Sequence, residues 1–152
     1  MSGLWFEEFE EGRVFDHALS RTITEADNMW FCNATLNTQP LHIDFNWAKE
    51  NSEFGQPIVN SMFTLGLLVG MTVTDTTLGT TVGNLSMTDV IFPRPVFHGD
   101  SIKARTTIGK TRESKSRPTQ GIVEFFHEAF NQSGDLVAKC SRTALMKKRP
   151  AA

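Results

Sequence analysis

Residues 58–73 (IVNSMFTLGLLVGMTV) constrain the fold more than any other stretch of this chain. Met62, Leu65, Leu68 and Val69 fall at helical spacing, and the run is longer than a buried strand needs to be. A helix that is apolar nearly all round has to be buried. Gly66 and Gly70 lie one turn apart on a shared face, where a neighbouring backbone can approach closely. The chain beyond this helix changes period. Thr80 to Phe92 reads as one long strand, which Pro93-Arg-Pro95 ends. Phe97-His-Gly-Asp100 is a turn. Ser101 to Thr111 alternates Ile102, Ala104, Thr106 and Ile108, and Arg112 to Thr119 is a polar loop. Gly121 to Asn131 sets Val123, Phe125, His127 and Ala129 against Glu124, Phe126, Glu128 and Phe130. Asn131-Gln-Ser-Gly134-Asp signals a hairpin, and Leu136 to Lys147 is the last strand.

Ahead of the apolar helix, Gly12 to Thr24 reads as a short strand. Thr24-Glu-Ala-Asp27 is a capping-box start with Asp in place of Glu or Gln. The helix it opens, Glu25 to about Thr35, is expected to turn Met29, Trp30 and Phe31 inward. Asn37 to Asp44 is a loop, and Asn46 to Asn51 is a short helix. A helical first half followed by a meander of about four strands predicts an α+β fold, an antiparallel sheet wrapped around one buried helix.

A length of 152 residues predicts one domain, 1–152, with room for a real core. A net charge of −2 gives no basis for nucleic acid or an anionic membrane as the main partner. Cys32 and Cys140 stand far apart with no ligand spacing, which fits free thiols in a reducing, cytoplasmic compartment. The acidic N-terminus lacks the basic and apolar regions of a signal peptide, and no apolar run reaches membrane-spanning length.

The segment with most chemistry is Phe31-Cys-Asn-Ala-Thr-Leu-Asn37-Thr-Gln39-Pro40-Leu41-His42-Ile43-Asp44. The residue before a proline is pushed out of helical angles, so the chain must turn at Gln39. That turn is what would let Asn37 and His42 converge.

Three segments resemble the MaoC-like dehydratases, the (R)-specific enoyl-CoA hydratase branch of the hot-dog fold. They are Phe31 to Asp44, Gly55-Gln-Pro-Ile-Val-Asn-Ser-Met62, and Phe92-Pro-Arg-Pro-Val-Phe-His-Gly-Asp100. The resemblance implies a hot-dog domain that forms a homodimer or larger homo-oligomer and binds acyl-CoA thioesters between subunits. The implied reaction is reversible addition of water to a 2-enoyl-CoA. The usual motif aspartate falls on Asn37, the usual Asn on Gln39, and the usual His-Gly that opens the central helix on Asn60-Ser61. His42 and Asp44 are kept. This altered set resembles a subgroup that hydrates short branched dicarboxylyl-CoA esters such as itaconyl- or mesaconyl-CoA.

Hydration needs a base for water, an acid for the α-carbon, and a donor for the enolate oxygen. Imidazole serves both proton transfers, so His42 is the expected acid and base. A carboxamide holds no proton near neutrality. Asn37 therefore either orients the water or only caps the loop. Asp44 either orients His42 or caps the helix that follows. The resemblance places the oxyanion donor at the amides near Ser61 or Met62, beside Asn60, where unpaired helix N–H groups point outward. Arg94 is the candidate for a substrate carboxylate, against a solvated role. Lys110, Arg112, Lys115 and Arg117 either meet CoA phosphates or form a solvated loop. His17, His98 and His127 do not cluster with carboxylates or cysteines at ligand spacing, so neither a metal nor a cofactor is expected. The alternatives are an acyl-CoA thioesterase on the same fold and a non-catalytic acyl-CoA-binding partner protein.

Overall fold

The computed structural model describes residues 3–150. A 3-10 turn, Phe6–Glu8, leads into β1 (Val14–Thr22), followed by α1 (Glu25–Ala34), α2 (Pro40–Ile43), α3 (Phe45–Asn51) and α4 (Ser61–Thr76). Four strands complete the chain: β2 (Thr81–Ile91), β3 (Ser101–Glu113), β4 (Gln120–Phe130) and β5 (Leu136–Lys147). All pair antiparallel in one sheet of order β1-β3-β4-β5-β2.

This is the expected α+β architecture with one change of connectivity. Only β3, β4 and β5 form a meander. β2 passes the strand that follows it in sequence and pairs with β5. The alternation in the second half holds. On β3, Ile102, Ala104, Thr106 and Ile108 are buried, and on β4 so are Val123, Phe125, His127 and Ala129. Asn131 and Gly134 close the last hairpin, with Gly134 at φ +81°, the left-handed region that favours glycine.

The central helix begins at Ser61 rather than Ile58. Ile58 is instead bridged to Phe97, and Val59 N–H donates to Val96 O at 2.8 Å. α4 packs across β1, β3, β4 and β5, burying Thr64, Leu65, Leu68, Met71, Thr72 and Thr76. It is buried on one side only. Met62, Gly66 and Gly70 are exposed, and a Cβ on either glycine would meet nothing within 4 Å. Among the described residues, none makes the close approach that these glycines permit.

The core has two centres. One gathers Leu65, Leu68 and Met71 with Ile23, Ile102 and Val137. The other sets Phe9 edge-on to Phe125 beside Ile108, Val123 and Met146.

α1 starts as its capping box dictates. Asp27 N–H donates to Thr24 Oγ1 at 3.2 Å, and Thr24 N–H to Asp27 Oδ2 at 2.8 Å. That backbone bond holds the Asp27 carboxyl below its ordinary range. The inward face differs from expectation. Asn28 and Cys32 are buried, while Trp30 is 70% exposed and Met29 and Phe31 are half-buried. The cap fixes the helix phase, and a polar residue fills the inner position because it has partners there.

Candidate active site

Asn28 is that polar residue, and the site is built around it. Its Nδ2 lies 3.1 Å from His42 O, 3.3 Å from Ile58 O and 3.1 Å from His98 Nε2. Its Oδ1 accepts Asn60 N–H at 2.9 Å. One fully buried side chain on α1 thus ties the His42 backbone to the start of α4 and to the turn carrying His98. Buried amides need such partners. The Asn28 amide donates to His98 Nε2, which is therefore the bare nitrogen, and burial pushes the imidazole pKa down, in keeping with a neutral ring.

The expected loop contains a helical turn. Pro40 opens α2, its fixed φ suiting a first helical position. His42 is on this turn, half-buried. Its Nδ1 lies 2.9 Å from Ile58 O, and a carbonyl can only accept, so Nδ1 carries the proton. Nε2 then holds the lone pair. Asn37 follows Leu36, whose φ is +56°. Asn37 Oδ1 accepts Gln39 N–H at 3.0 Å, an Asx turn into α2. The loop-cap role is therefore present in the geometry, with the Asn37 amide NH2 still to be used. Gln39 is exposed and its side chain makes no capping bond. Asp44 caps α3, accepting Trp47 N–H at 2.9 Å.

Asn60 is the N-cap of α4. It is buried, and its Oδ1 takes Met62 N–H at 2.9 Å. This uses the Met62 amide and leaves those of Ser61 and Phe63 as the first-turn donors. Ser61 and Arg94 share a cavity of about 230 Å³ with Ile58, Thr64, Phe92 and Val96. His42 is not in its wall but bonds to Ile58, which is. Arg94 lies 3.5 Å from Asp135, its side chain 62% exposed.

The sequence reading missed Asn28. Its signal was its place one turn after the Thr24 cap and one turn before Cys32. Lys110, Arg112, Lys115 and Arg117 of the basic stretch are all exposed around the β3–β4 hairpin. Among the described residues, no three His, Cys, Asp or Glu side chains are grouped to hold a metal ion. No helix among them is long and apolar enough to cross a membrane.

A five-stranded antiparallel sheet packed on one central helix is the hot-dog architecture. Residues 8–126 match the model of the MaoC-like domain, and the chain belongs to that family. Over 99% of its length it is 31% identical to a mesaconyl-CoA hydratase of Haloarcula marismortui, of which it spans 42%. A MaoC-like dehydratase from Rhodospirillum rubrum superposes with a TM-score of 0.83 at 26% identity, covering 98% of this chain and all of that one. A Mycobacterium tuberculosis protein described as having a double hot-dog fold gives 0.88 at 20% identity, covering 99% of this chain and 46% of that one. The chain thus spans less than half of the curated relative and about the whole of the smaller structure.

Proposed function

We propose that this chain, as a single hot-dog domain, adds water reversibly to the double bond of a 2-enoyl-CoA. The observation that carries the reading is the His42 ring: Nδ1–H is tied to Ile58 O, so Nε2 is the free base. Family membership and the resemblance to a mesaconyl-CoA hydratase support it.

In the proposed mechanism, water is held by the Asn37 amide NH2. His42 Nε2 takes its proton as oxygen adds to the β-carbon. Electron density moves to the thioester oxygen, where the Ser61 and Phe63 amides at the positive end of α4 receive it. The imidazolium then returns the proton to the α-carbon. One residue does both transfers from one side, so hydration is syn.

The cavity bearing Ser61 and Arg94 is small, about 230 Å³. It suits a short acyl group, and Arg94 offers a cation for a second carboxylate. The favoured substrate is therefore a short branched dicarboxylyl-CoA such as mesaconyl- or itaconyl-CoA, bound by a homodimer.

The test is an assay with crotonyl-, mesaconyl-, itaconyl- and medium-chain enoyl-CoA. It follows loss of the enoyl chromophore, the mass of the water adduct, and free thiol. A water adduct that His42→Ala abolishes supports the proposal. Free CoA as product moves the assignment to a thioesterase. Binding without turnover on every substrate makes the chain a binding partner.

A further inference from the structure

His98 lies in the turn between β2 and β3, and the proposed mechanism gives it no part. That turn is fixed without the His98 ring. Phe97 N–H donates to Asp100 Oδ2, Gly99 N–H to Ile23 O and Ile23 N–H to Asp100 O, each at 2.8 Å. From this frame the half-buried ring is presented to α1, with the Phe45 ring of α3 centred 5.8 Å away. Its Nε2 lies 3.1 Å from Asn28 Nδ2.

The Asn28 amide has one workable orientation. Its Oδ1 accepts the buried Asn60 N–H at 2.9 Å. Turned over, the amide would set its NH2 against that N–H and its oxygen against two carbonyls, His42 O and Ile58 O. In the orientation it keeps, two hydrogens serve three acceptors. Ile58 O also accepts His42 Nδ1–H, and a carbonyl never donates. His98 Nε2 is the acceptor whose nature can change. A bare Nε2 accepts from Asn28, whereas an imidazolium N–H would face the amide hydrogens, donor against donor. Either the ring or the amide would then have to move. A displaced Asn28 would release the His42 backbone on one side and Asn60, the cap of α4, on the other. The His42 base would shift against the Ser61 and Phe63 amides.

The groups around the ring keep it neutral near neutrality. Burial lowers its pKa below the ordinary 6.5, and the Glu25 carboxylate on α1 opposes this only in part. Phe45, the contact from α3, carries no charge. Asp100, on the same turn, is engaged by Phe97 N–H and the Gln132 amide. His42, on the far side of Asn28, is the other titratable ring on this hub.

We infer that His98 is a positioning residue for the proposed hydration: its bare Nε2 holds the Asn28 amide, Asn28 sets His42 against the opening turn of α4, and a proton on Nε2 disengages the site. The reaction rests on the hydratase reading; the coupling of His98 to Asn28 stands without it.

The test compares the wild type with His98→Gln and His98→Leu. Glutamine brings a carbonyl oxygen near the place of Nε2 and takes up no proton. Leucine fills the space without an acceptor. On an enoyl-CoA that the wild type hydrates, His98→Leu is expected to lose roughly 10²-fold in kcat, the scale of a misplaced catalytic group, with KM changed less. His98→Gln is expected to recover most of that loss. Below pH 6.5 the acid limb of kcat/KM is expected to be one proton steeper in the wild type than in His98→Gln. By NMR, the Asn28 NH2 and Asn60 N–H signals of the wild type are expected to move as His98 titrates, and this movement is absent from His98→Gln. The NMR readout needs no turnover. If the wild type hydrates no CoA ester, the hydratase reading fails and the control of Asn28 by His98 is still decided. If His98→Leu does not fold, the wild-type titration and His98→Gln carry the test. Full turnover in His98→Leu overturns the inference. So do a folded His98→Gln no better than His98→Leu, equal acid limbs, or Asn28 and Asn60 signals indifferent to the His98 proton.

Discussion

At the scale of single residues, the proposed chemistry rests on one nitrogen and one amide. His42→Ala is expected to lower turnover by roughly 10²–10⁴-fold with little loss of fold, since its Nδ1 contact is one partly buried hydrogen bond. Hydration run in D2O is expected to give the syn diastereomer, seen by NMR; an anti product would mean a second acid. Asn37→Asp is expected to keep or raise turnover: one carboxylate oxygen keeps the Asx turn to Gln39 N–H, and the other holds the water by accepting from it where the amide NH2 donated. Asn28→Ala works by another route. It takes the Asn28 bond from His42 O and from the buried Asn60 N–H, and leaves Ile58 O with His42 Nδ1–H alone. We expect a loss of about 1–3 kcal/mol in denaturant unfolding, with turnover falling as well.

At the scale of elements, the 3-10 turn at Phe6–Glu8 is docked on the sheet through Gly121, where a Cβ would run into the Phe6 ring. Gly121→Ala is expected to displace that ring and lower the midpoint of thermal unfolding, by an amount typical of overpacking, about 1–3 kcal/mol. Elements with local signals were legible in the sequence: the Thr24 capping box, the β3 and β4 alternation, and the Gly134 hairpin. What was not legible depended on distant partners. The phase of α1 turned on Asn28, which reads as a surface residue until His42, Ile58 and Asn60 are brought to it. The Pro40 turn read as loop because four residues are too few for a periodic signal. Of the site, His42, Asp44 and the start of α4 were marked by motif. The hub that holds them together was not. His17 and His127 looked unconnected because their links, through Thr106, run across strands far apart in the chain.

At the scale of the whole molecule, the burial of His127 inside the sheet couples stability to pH. An unfolded histidine titrates near 6.5, whereas folded His127 does so at about 3. Between those values the unfolded chain binds the extra proton, so stability is intact above about pH 6.5 and falls as the pH drops toward 3. Burial lowers the His98 pKa in the same direction and adds to the trend. Denaturant unfolding from pH 7 to 4 is expected to show this slope, at most about 1.4 kcal/mol per pH unit for each histidine. A flat profile would contradict a neutral, buried His127. The crossing of β2 to β5 has a consequence in time. As the chain is synthesised, α4 and β2 emerge early with apolar side chains bare, and β2 finds its ladder only when Leu136–Lys147 follows. β5 then closes β4 and β2 in one event, so the last strand made is the one on which two others wait. Such long-range closure is slow and leaves an aggregation-prone interval. A chain interrupted before Leu136 would keep that interval open for as long as it survived.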